Sequence, residues 1–301
     1  MGIPINITFL GTSQAIPTAK RNHTSILLQY AGENILVDCG EGTQRQFRKA
    51  HLNPCRLTRI LITHWHGDHI LGLAGLLQTL LLNGYNRTLY IYGPKGTKRD
   101  LQELIRLLVP YNKIPLVINE VSTGKILETK DFYIESLPVQ HSIPCNAYSF
   151  VEKAKSRLDR AKLKKLKIPS SPLIGQLQQG RDIVFEGKKI KAKDLIYKTE
   201  DKKVSFILDT KLTENCHKIA KDSDVIITEA VYLNNEKDLA SLHEHLTAEQ
   251  AGEIAKKANA KKLYLAHLSQ RYDGNEKLIQ KEAQKKFKNT IIAEDLMNIT
   301  I

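Results

Sequence analysis

Cysteine is scarce in this 301-residue chain: Cys39, Cys55, Cys145 and Cys216 are its four cysteines, they are widely scattered, and no Cys-x-x-Cys pair occurs. That usage fits reduced thiols in a cytoplasmic protein better than a disulfide framework. Long apolar runs are also lacking. The longest, Ile70 to Leu82, is interrupted by Gly72, Gly75, Gln78 and Thr79 and is too short to span a bilayer. The N-terminus has no basic region, apolar core or small-residue cleavage site, so no export signal is expected. No Pro, Gly or Ser-rich linker divides the chain, which predicts a single domain over residues 1–301. With 42% hydrophobic residues the chain can bury a substantial core.

Negative charge is in short supply, and the net formal charge is +13. The excess is uneven. Residues 152–203 carry sixteen Lys and Arg against seven Asp and Glu, an excess of nine. Between Lys153 and Lys167 there are eight basic residues and the single acid Asp159, with Ala154, Leu158, Ala161, Leu163 and Leu166 forming only a ragged apolar face. A segment so charged is not expected to pack deeply, and Ile168-Pro169-Ser170-Ser171-Pro172 ends any helix in it. Gly175 and Gly180 loosen the chain beyond Pro172. A solvated helix on a basic protein explains part of this pattern, and a polyanion-binding insertion at about 152–182 explains more of it. No aromatic residue occurs from Glu152 to Ile183, so phosphate contacts rather than base stacking would drive binding there.

The densest chemistry lies in His64-Trp65-His66-Gly67-Asp68-His69, directly after an apolar run. Imidazole and carboxylate are ligands that suit zinc and its first-row neighbours. Residues two apart on an extended segment point the same way, so His64 and His66 can share one ion. A turn at Gly67 is expected to aim Asp68 and His69 at a second. A loose His-rich tract would lack this order.

Other ligand candidates stand at the ends of short Ile, Val and Leu-rich runs, as in open α/β sheets. Arg59 to Thr63 ends at His64, and Phe132 to Leu137 runs toward His141. Val204 to Leu208 stops at Asp209, Val225 to Thr228 at Glu229, and Leu263 to Ala266 at His267. Any one of these alone would be an ordinary cap or surface residue. Together they supply two ions, with His141 and His267 completing the sets and Asp209 bridging. Zinc leads among the metals, and manganese or iron remains open for a donor set without thiolate.

The order His64, His66, Asp68, His69, His141, Asp209, His267 resembles the signature of the metallo-β-lactamase fold. The resemblance implies an α/β, four-layer αβ/βα sandwich with a dinuclear site at one edge. Further stretches are similar to the ribonuclease Z family, over nearly the whole chain. Phe9-Leu10-Gly11-Thr12 followed by Pro17-Thr18-Ala19-Lys20-Arg21-Asn22 resembles the family's Pro-x-Lys-x-Arg-Asn loop, with the lysine one place late. Thr228-Glu229-Ala230 resembles its His-Glu-Ala-Thr element, with Thr228 in place of His. His245-Leu246-Thr247 resembles its His-Ser-Thr element, and His267 to Tyr272 its last ligand segment. The basic insertion stands where the family has a protruding tRNA-binding arm, with Ser171-Pro172 in place of Gly-Pro.

The implied activity is endonucleolytic removal of the 3′ trailer of precursor tRNA, leaving a 3′-hydroxyl and a 5′-phosphate, by a homodimer carrying two zinc ions per subunit. Asp68, His245 and Glu229 are the expected catalytic residues. His245 would protonate the departing 3′ oxygen, and Glu229 would orient and charge the ring. Thr247-Ala248-Glu249-Gln250 reads as a capping box opening a helix from Ala248 to Asn259, just after His245. His243 is a competing donor, and only the family resemblance favours His245. The implied substrate contacts are Arg21, Asn22 and Arg271, with Lys153, Lys155, Arg157, Arg160, Lys162, Lys164, Lys165 and Lys167 in the arm. An ordinary surface salt bridge is an equal claim on Arg271. His23, His51 and His217 read as structural or exposed. Two alternatives are another hydrolase of the same fold acting on a small phosphodiester, thioester or lactone, and a non-catalytic RNA-binding relative. The first does not account for the arm, and the intact ligand set argues against the second.

Overall fold

The computed structural model describes residues 3–169 and 171–301; Ser170, within the helix-breaking stretch, lies outside the described residues. Among the described residues no helix is long and apolar enough to cross a membrane. The chain divides into two compact units, one comprising residues up to Glu128, Tyr133–Phe150 and Lys203–Ile301, the other Thr129–Phe132 and Val151–Lys202.

The larger unit is built on two sheets. Strands β1 (Asn6–Gly11), β2 (Ser25–Tyr30), β3 (Glu33–Val37), β4 (Arg59–Leu61), β5 (Leu89–Gly93), β6 (Leu116–Glu120) and the C-terminal β18 (Asn298–Thr300) form a seven-stranded sheet in the order β18-β1-β2-β3-β4-β5-β6. Strands β7 (Gly124–Glu128), β8 (Phe132–Val139), β9 (Cys145–Glu152), β14 (Lys202–Ile207), β15 (Val225–Glu229), β16 (Lys262–Ala266) and β17 (Thr290–Ile292) form the other, ordered β17-β16-β15-β14-β9-β8-β7. The β3-β4-β5-β6 and β14-β15-β16-β17 runs are parallel. Parallel neighbours need crossovers, and helices supply them. Strands covered on both faces read as continuous apolar runs, which is why every residue of Val225–Glu229 is buried.

The inner faces meet through large rings. Phe9 lies 5.6 Å from Tyr264, Tyr30 lies 5.4 Å from Phe150, and the Tyr148 hydroxyl donates to the Ile62 carbonyl at 2.7 Å. On one outer face the helix Gly72–Leu82 buries Leu73, Leu76, Leu77 and Leu80 against Leu27, Leu36, Ile60 and Ile91. On the other, Ala248–Lys257 buries Ala251, Ile254 and Ala255 against Ile226, Leu263 and Leu265. The result is the four-layer αβ/βα sandwich expected from the sequence.

The turn after His66 differs from expectation. Gly67 has no left-handed backbone; it opens the short helix Gly67–Ile70 with His66 as N-cap, and the helix start itself redirects Asp68 and His69. The glycines that matter are Gly40 and Gly72. A Cβ at Gly40 would collide with the Asp68 carbonyl, and one at Gly72 with the Gly40 carbonyl.

The smaller unit holds two-stranded sheets, β10 (Ser156–Leu158) with β13 (Ile196–Lys198) and β11 (Ile183–Phe185) with β12 (Lys188–Ile190). Its helices are Arg160–Lys165, Pro172–Gln178 and Ala192–Leu195. The charged 153–167 stretch packs more than expected: its Leu163, with Ile168 just beyond it, is buried with Leu177, Ile183, Ala192 and Leu195. Those partners come from beyond residue 175, so the ragged face acquires a small core once the chain returns. The lone acid Asp159 caps its helix, accepting from the Ala161 and Lys162 amides at 2.9 and 3.1 Å. Pro172, expected as a breaker, stands at the first helical position of Pro172–Gln178, where a missing amide costs nothing.

The capping box at Thr247 is formed in both directions, with Gln250 N to Thr247 Oγ1 at 3.2 Å and Thr247 N to Gln250 Oε1 at 2.9 Å. Thr247→Ala is expected to destabilise the fold by about 1 kcal/mol, read as a lower urea midpoint with an unchanged slope.

Candidate metal and hydrolytic site

The parallel strands of the two sheets end on one side, and their C-terminal residues meet. Asp38 follows β3, His64 follows β4 after Ile62 and Thr63, Asp209 follows β14, Glu229 ends β15 and His267 follows β16. His141 follows β8. The five strand ends identified from the sequence therefore converge, contributed by both sheets rather than one.

Three ligand groups result. His64, His66 and His141 form one; Asp68, His69, Asp209 and His267 form a second; Asp209, Glu229 and His245 form a third, each with donor atoms within 4.8 Å of one another. Asp209 joins the first two. Its Oδ2 lies 3.7 and 3.8 Å from Nε2 of His64 and His141, while its Oδ1 lies 3.4 and 3.0 Å from Nε2 of His69 and His267. A buried carboxylate thus faces two imidazole sets with opposite oxygens.

The donor atoms fit metal better than protons. His66 Nδ1 is approached by Nε2 of both His64, at 3.0 Å, and His141, at 3.1 Å, and one ring nitrogen cannot satisfy two imidazoles by hydrogen bonding. Among the described residues His69 Nε2 and Asp209 Oδ1 are buried without a hydrogen-bond partner. Buried polar atoms without partners are costly, and here they face each other across the gap between ligands. Burial, reinforced by the neighbouring His69, pushes His64 well down, and burial with His141 pushes His66 down, so both rings stay neutral and offer lone pairs. Burial opposes ionisation of Asp209, yet His267 and His69 hold it well below the usual carboxylate range.

The opposite ring nitrogens are held by the fold. His69 Nδ1 meets Asp38 Oδ2 at 2.7 Å, His267 Nδ1 meets Thr24 Oγ1 at 2.7 Å, His64 Nδ1 meets Thr63 Oγ1 at 3.0 Å, and His141 Nδ1 meets the Glu244 carbonyl at 3.2 Å. Such contacts fix ring orientation and choose which nitrogen faces the ion. Asp38 is not among the candidates read from the sequence. It is fully buried, also accepts from the Thr63 amide and hydroxyl at 2.7 Å each, and has φ 57°. Its position after the apolar run Ile35-Leu36-Val37 is the same strand-end signal that marks the ligands. Glu244 and His267 also adopt left-handed backbones, φ 58° and 52°, so three non-glycine residues with this costly conformation cluster at the site.

His245 stands beside this cluster, with Nδ1 3.1 Å from Glu229 Oε1 and 3.9 Å from Asp209 Oδ2. Burial works against charge on the ring, but the adjacent Glu229 carboxylate outweighs it and lifts the imidazole to about 9. Among the described residues His243 meets no such carboxylate; it is exposed and its ring is parallel to that of Tyr232, at 6.4 Å. A cavity of about 530 Å³ opens over the cluster, lined by Gln14, Ala15, Tyr232, Leu242, His243 and His245 together with His66, Asp68, His141, Asp209 and His267.

Other expected contacts are placed differently. Arg21 is buried, its Nη1 donating to Thr12 Oγ1 at 2.7 Å and the Ala293 carbonyl at 2.6 Å, with Nε 3.4 Å from Glu276. Asn22 Nδ2 donates to the Glu41 carbonyl at 2.5 Å. Both side chains are engaged within the fold, Arg21 with Thr12 and Ala293 and Asn22 with Glu41. Arg271 is half-exposed, 3.0 Å from Glu236 and stacked over Tyr232 at 5.4 Å. In the smaller unit Lys153 and Lys162 donate to the carbonyls of Thr129 and Asp194, and Lys155 pairs with Asp131 at 3.0 Å. Arg157 is half-buried, whereas Arg160, Lys164, Lys165 and Lys167 are exposed. His23 is buried and bonded to the Ala15 carbonyl, and His51 is exposed.

A family profile described as anti-Pycsar protein Apyc1 matches residues 5–150. The chain is 40% identical over 290 residues to a ribonuclease Z of Nanoarchaeum equitans, covering 96% of this chain and 91% of that protein. Among solved structures it resembles the human tRNase Z short form, with TM-score 0.71, 26% identity and 98% of each chain covered. It also superimposes on the metallo-β-lactamase fold protein YhfI of Bacillus subtilis, with TM-score 0.72, 20% identity and coverage of 99% and 100%. With ligands, sandwich and full-length similarity in agreement, the chain belongs to the ribonuclease Z family, on a metallo-β-lactamase fold.

Proposed function

We propose that this protein is the endoribonuclease that removes the 3′ trailer of precursor tRNA, leaving a 3′-hydroxyl on the tRNA and a 5′-phosphate on the trailer. The observation that carries the reading is the Asp209-centred ligand pair within a chain similar along almost its whole length to ribonuclease Z proteins. His64, His66 and His141 would hold one cation, Asp68, His69 and His267 the other, and Asp209 would lie between them. Zinc suits this imidazole and carboxylate set, and manganese or iron(II) would use the same donors. Bound there, divalent cations would supply Lewis-acid activation of water and neutralisation of phosphate charge.

The side chains divide the remaining work. The Glu229 carboxylate holds His245 Nδ1–H, so the proton given to the departing 3′ oxygen comes from Nε2. A ring kept protonated to about 9 retains that proton through the neutral range. Arg21 and Asn22 act as positioning residues for the loop carrying Gln14 and Ala15. In the smaller unit the exposed Arg160, Lys164, Lys165 and Lys167 are assigned to RNA phosphates, with Arg157 and the partly engaged Lys153, Lys155 and Lys162 beside them, and in the larger unit Arg271, half-exposed in its pair with Glu236, is assigned to the RNA as well. The scarcity of cysteine and the family resemblance support a homodimer acting in the cytoplasm.

Incubation of purified protein with a labelled pre-tRNA carrying a 3′ extension should yield a discrete cut after the mature 3′ region with the stated end groups; efficient hydrolysis of a small phosphodiester with the pre-tRNA left intact would favour the small-substrate hydrolase. His245→Ala should retain its metal by elemental assay and lose at least about 100-fold in kcat. Glu229→Gln removes the charge that keeps the ring protonated, so its activity should fall off on the alkaline side at lower pH than the parent's. Pre-tRNA affinity should fall steeply with salt. Changing Arg160, Lys164, Lys165 and Lys167 together to Gln should flatten the log–log slope by about 0.7–0.9 for each phosphate left unneutralised; an unchanged slope would remove the RNA role of this surface.

A further inference from the structure

His243 is unused by the chemistry above, yet its placement is specific. It caps the C-terminus of the helix Lys237–Leu242, lines the cavity over the metal ligands and is exposed. Behind it the Tyr232 ring is parallel to within 12°, with centroids 6.4 Å apart, and Tyr232 is in turn covered by the Arg271 guanidinium at 5.4 Å. Arg271 is braced by Glu236, which also accepts the Tyr272 hydroxyl. Leu242, 72% exposed, lines the same cavity beside His243. A planar side chain open at the mouth of the cavity and backed by an aromatic ring, itself backed by a cation, is suited to receive another flat ring. The basic segment from Glu152 to Ile183 has no aromatic residue and offers no such ring.

We infer that His243, backed by Tyr232 and Arg271, is a stacking platform for a nucleobase flanking the scissile phosphate. The inference rests on the ribonuclease reading of the same site. Stacking accepts any base, because every base offers a π-face, and His243 would thus hold the strand at the cut without selecting sequence. Its role is one of substrate positioning, distinct from proton donation by His245.

The test compares His243→Phe, His243→Leu and the parent, each assayed for metal content and for kcat/KM on pre-tRNA, and on the same RNA made abasic at the nucleotide before or after the cut. Leu should lower kcat/KM about 10-fold on the intact RNA through KM, as expected for loss of one base stack. Phe should restore it, and all three proteins should converge on one of the two abasic substrates. An equal loss on intact and both abasic RNAs would mark His243 as merely structural and overturn the inference. So would unaltered kinetics of His243→Leu, or a loss in kcat that Phe does not rescue, which would return His243 to contention as proton donor. A parent that leaves pre-tRNA uncut would overturn the ribonuclease reading itself, and this inference with it.

Discussion

The Asp209 carboxylate is the point on which the site depends. Burying an ionised carboxylate costs several kcal/mol unless charge and hydrogen bonds compensate, and Asp209, only 3% exposed, lies among five imidazoles. His69 and His267 carry part of that compensation. Metal held between the imidazoles and Asp209 would give the lone pairs that crowd at His66 Nδ1 and the unpartnered His69 Nε2 a common purpose. Affinity for metal is in this sense stored in the fold, because the side chains are assembled in an arrangement that protons satisfy poorly.

Holding that arrangement requires rigidity from both sheets. Asp38 illustrates how it is obtained: one carboxylate accepts from the Thr63 amide and hydroxyl and from His69 Nδ1, tying the end of β3 to the end of β4 and to the helix that carries His69. Thr24 does the same for His267, and the Glu244 carbonyl for His141. The left-handed backbones at Asp38, Glu244 and His267 are tolerated because these contacts overdetermine them. The close approach of Gly40 to Asp68 and of Gly72 to Gly40 lets the ligand helix sit against the sheet edge.

The two histidines near the cavity mouth show how environment separates identical side chains. His245 sits against the buried Glu229 and is kept charged; His243, two residues earlier, faces outward with an aromatic neighbour in place of a carboxylate. The same separation runs through the basic segment. Lys153, Lys155 and Lys162 close their own unit, while Arg160, Lys164, Lys165 and Lys167 leave their charge in solvent, where polyanion phosphates would meet it.

Much of the site was legible in one dimension. His64 to His69 are close in sequence, and the ends of apolar runs mark strand ends whichever sheet they join, so the candidate ligands and their order could be read from local pattern, whereas the sandwich came with the resemblance to the metallo-β-lactamase fold. The capping box at Thr247 was readable for the same reason, its bonds spanning three residues. Pattern could not reveal that Arg21 spends its donors on Thr12 and Ala293, since the Ala293 bond joins positions 272 residues apart. Nor could it show that Leu163 and Ile168 find Leu177 and Leu195, or that Gly67 starts a helix instead of a left-handed turn. By itself the sequence determined which chemical groups are present and at which strand ends they stand. Only tertiary structure decided which nitrogen of each imidazole faces the ion and which histidine meets a carboxylate, because those depend on partners brought together from distant parts of the chain.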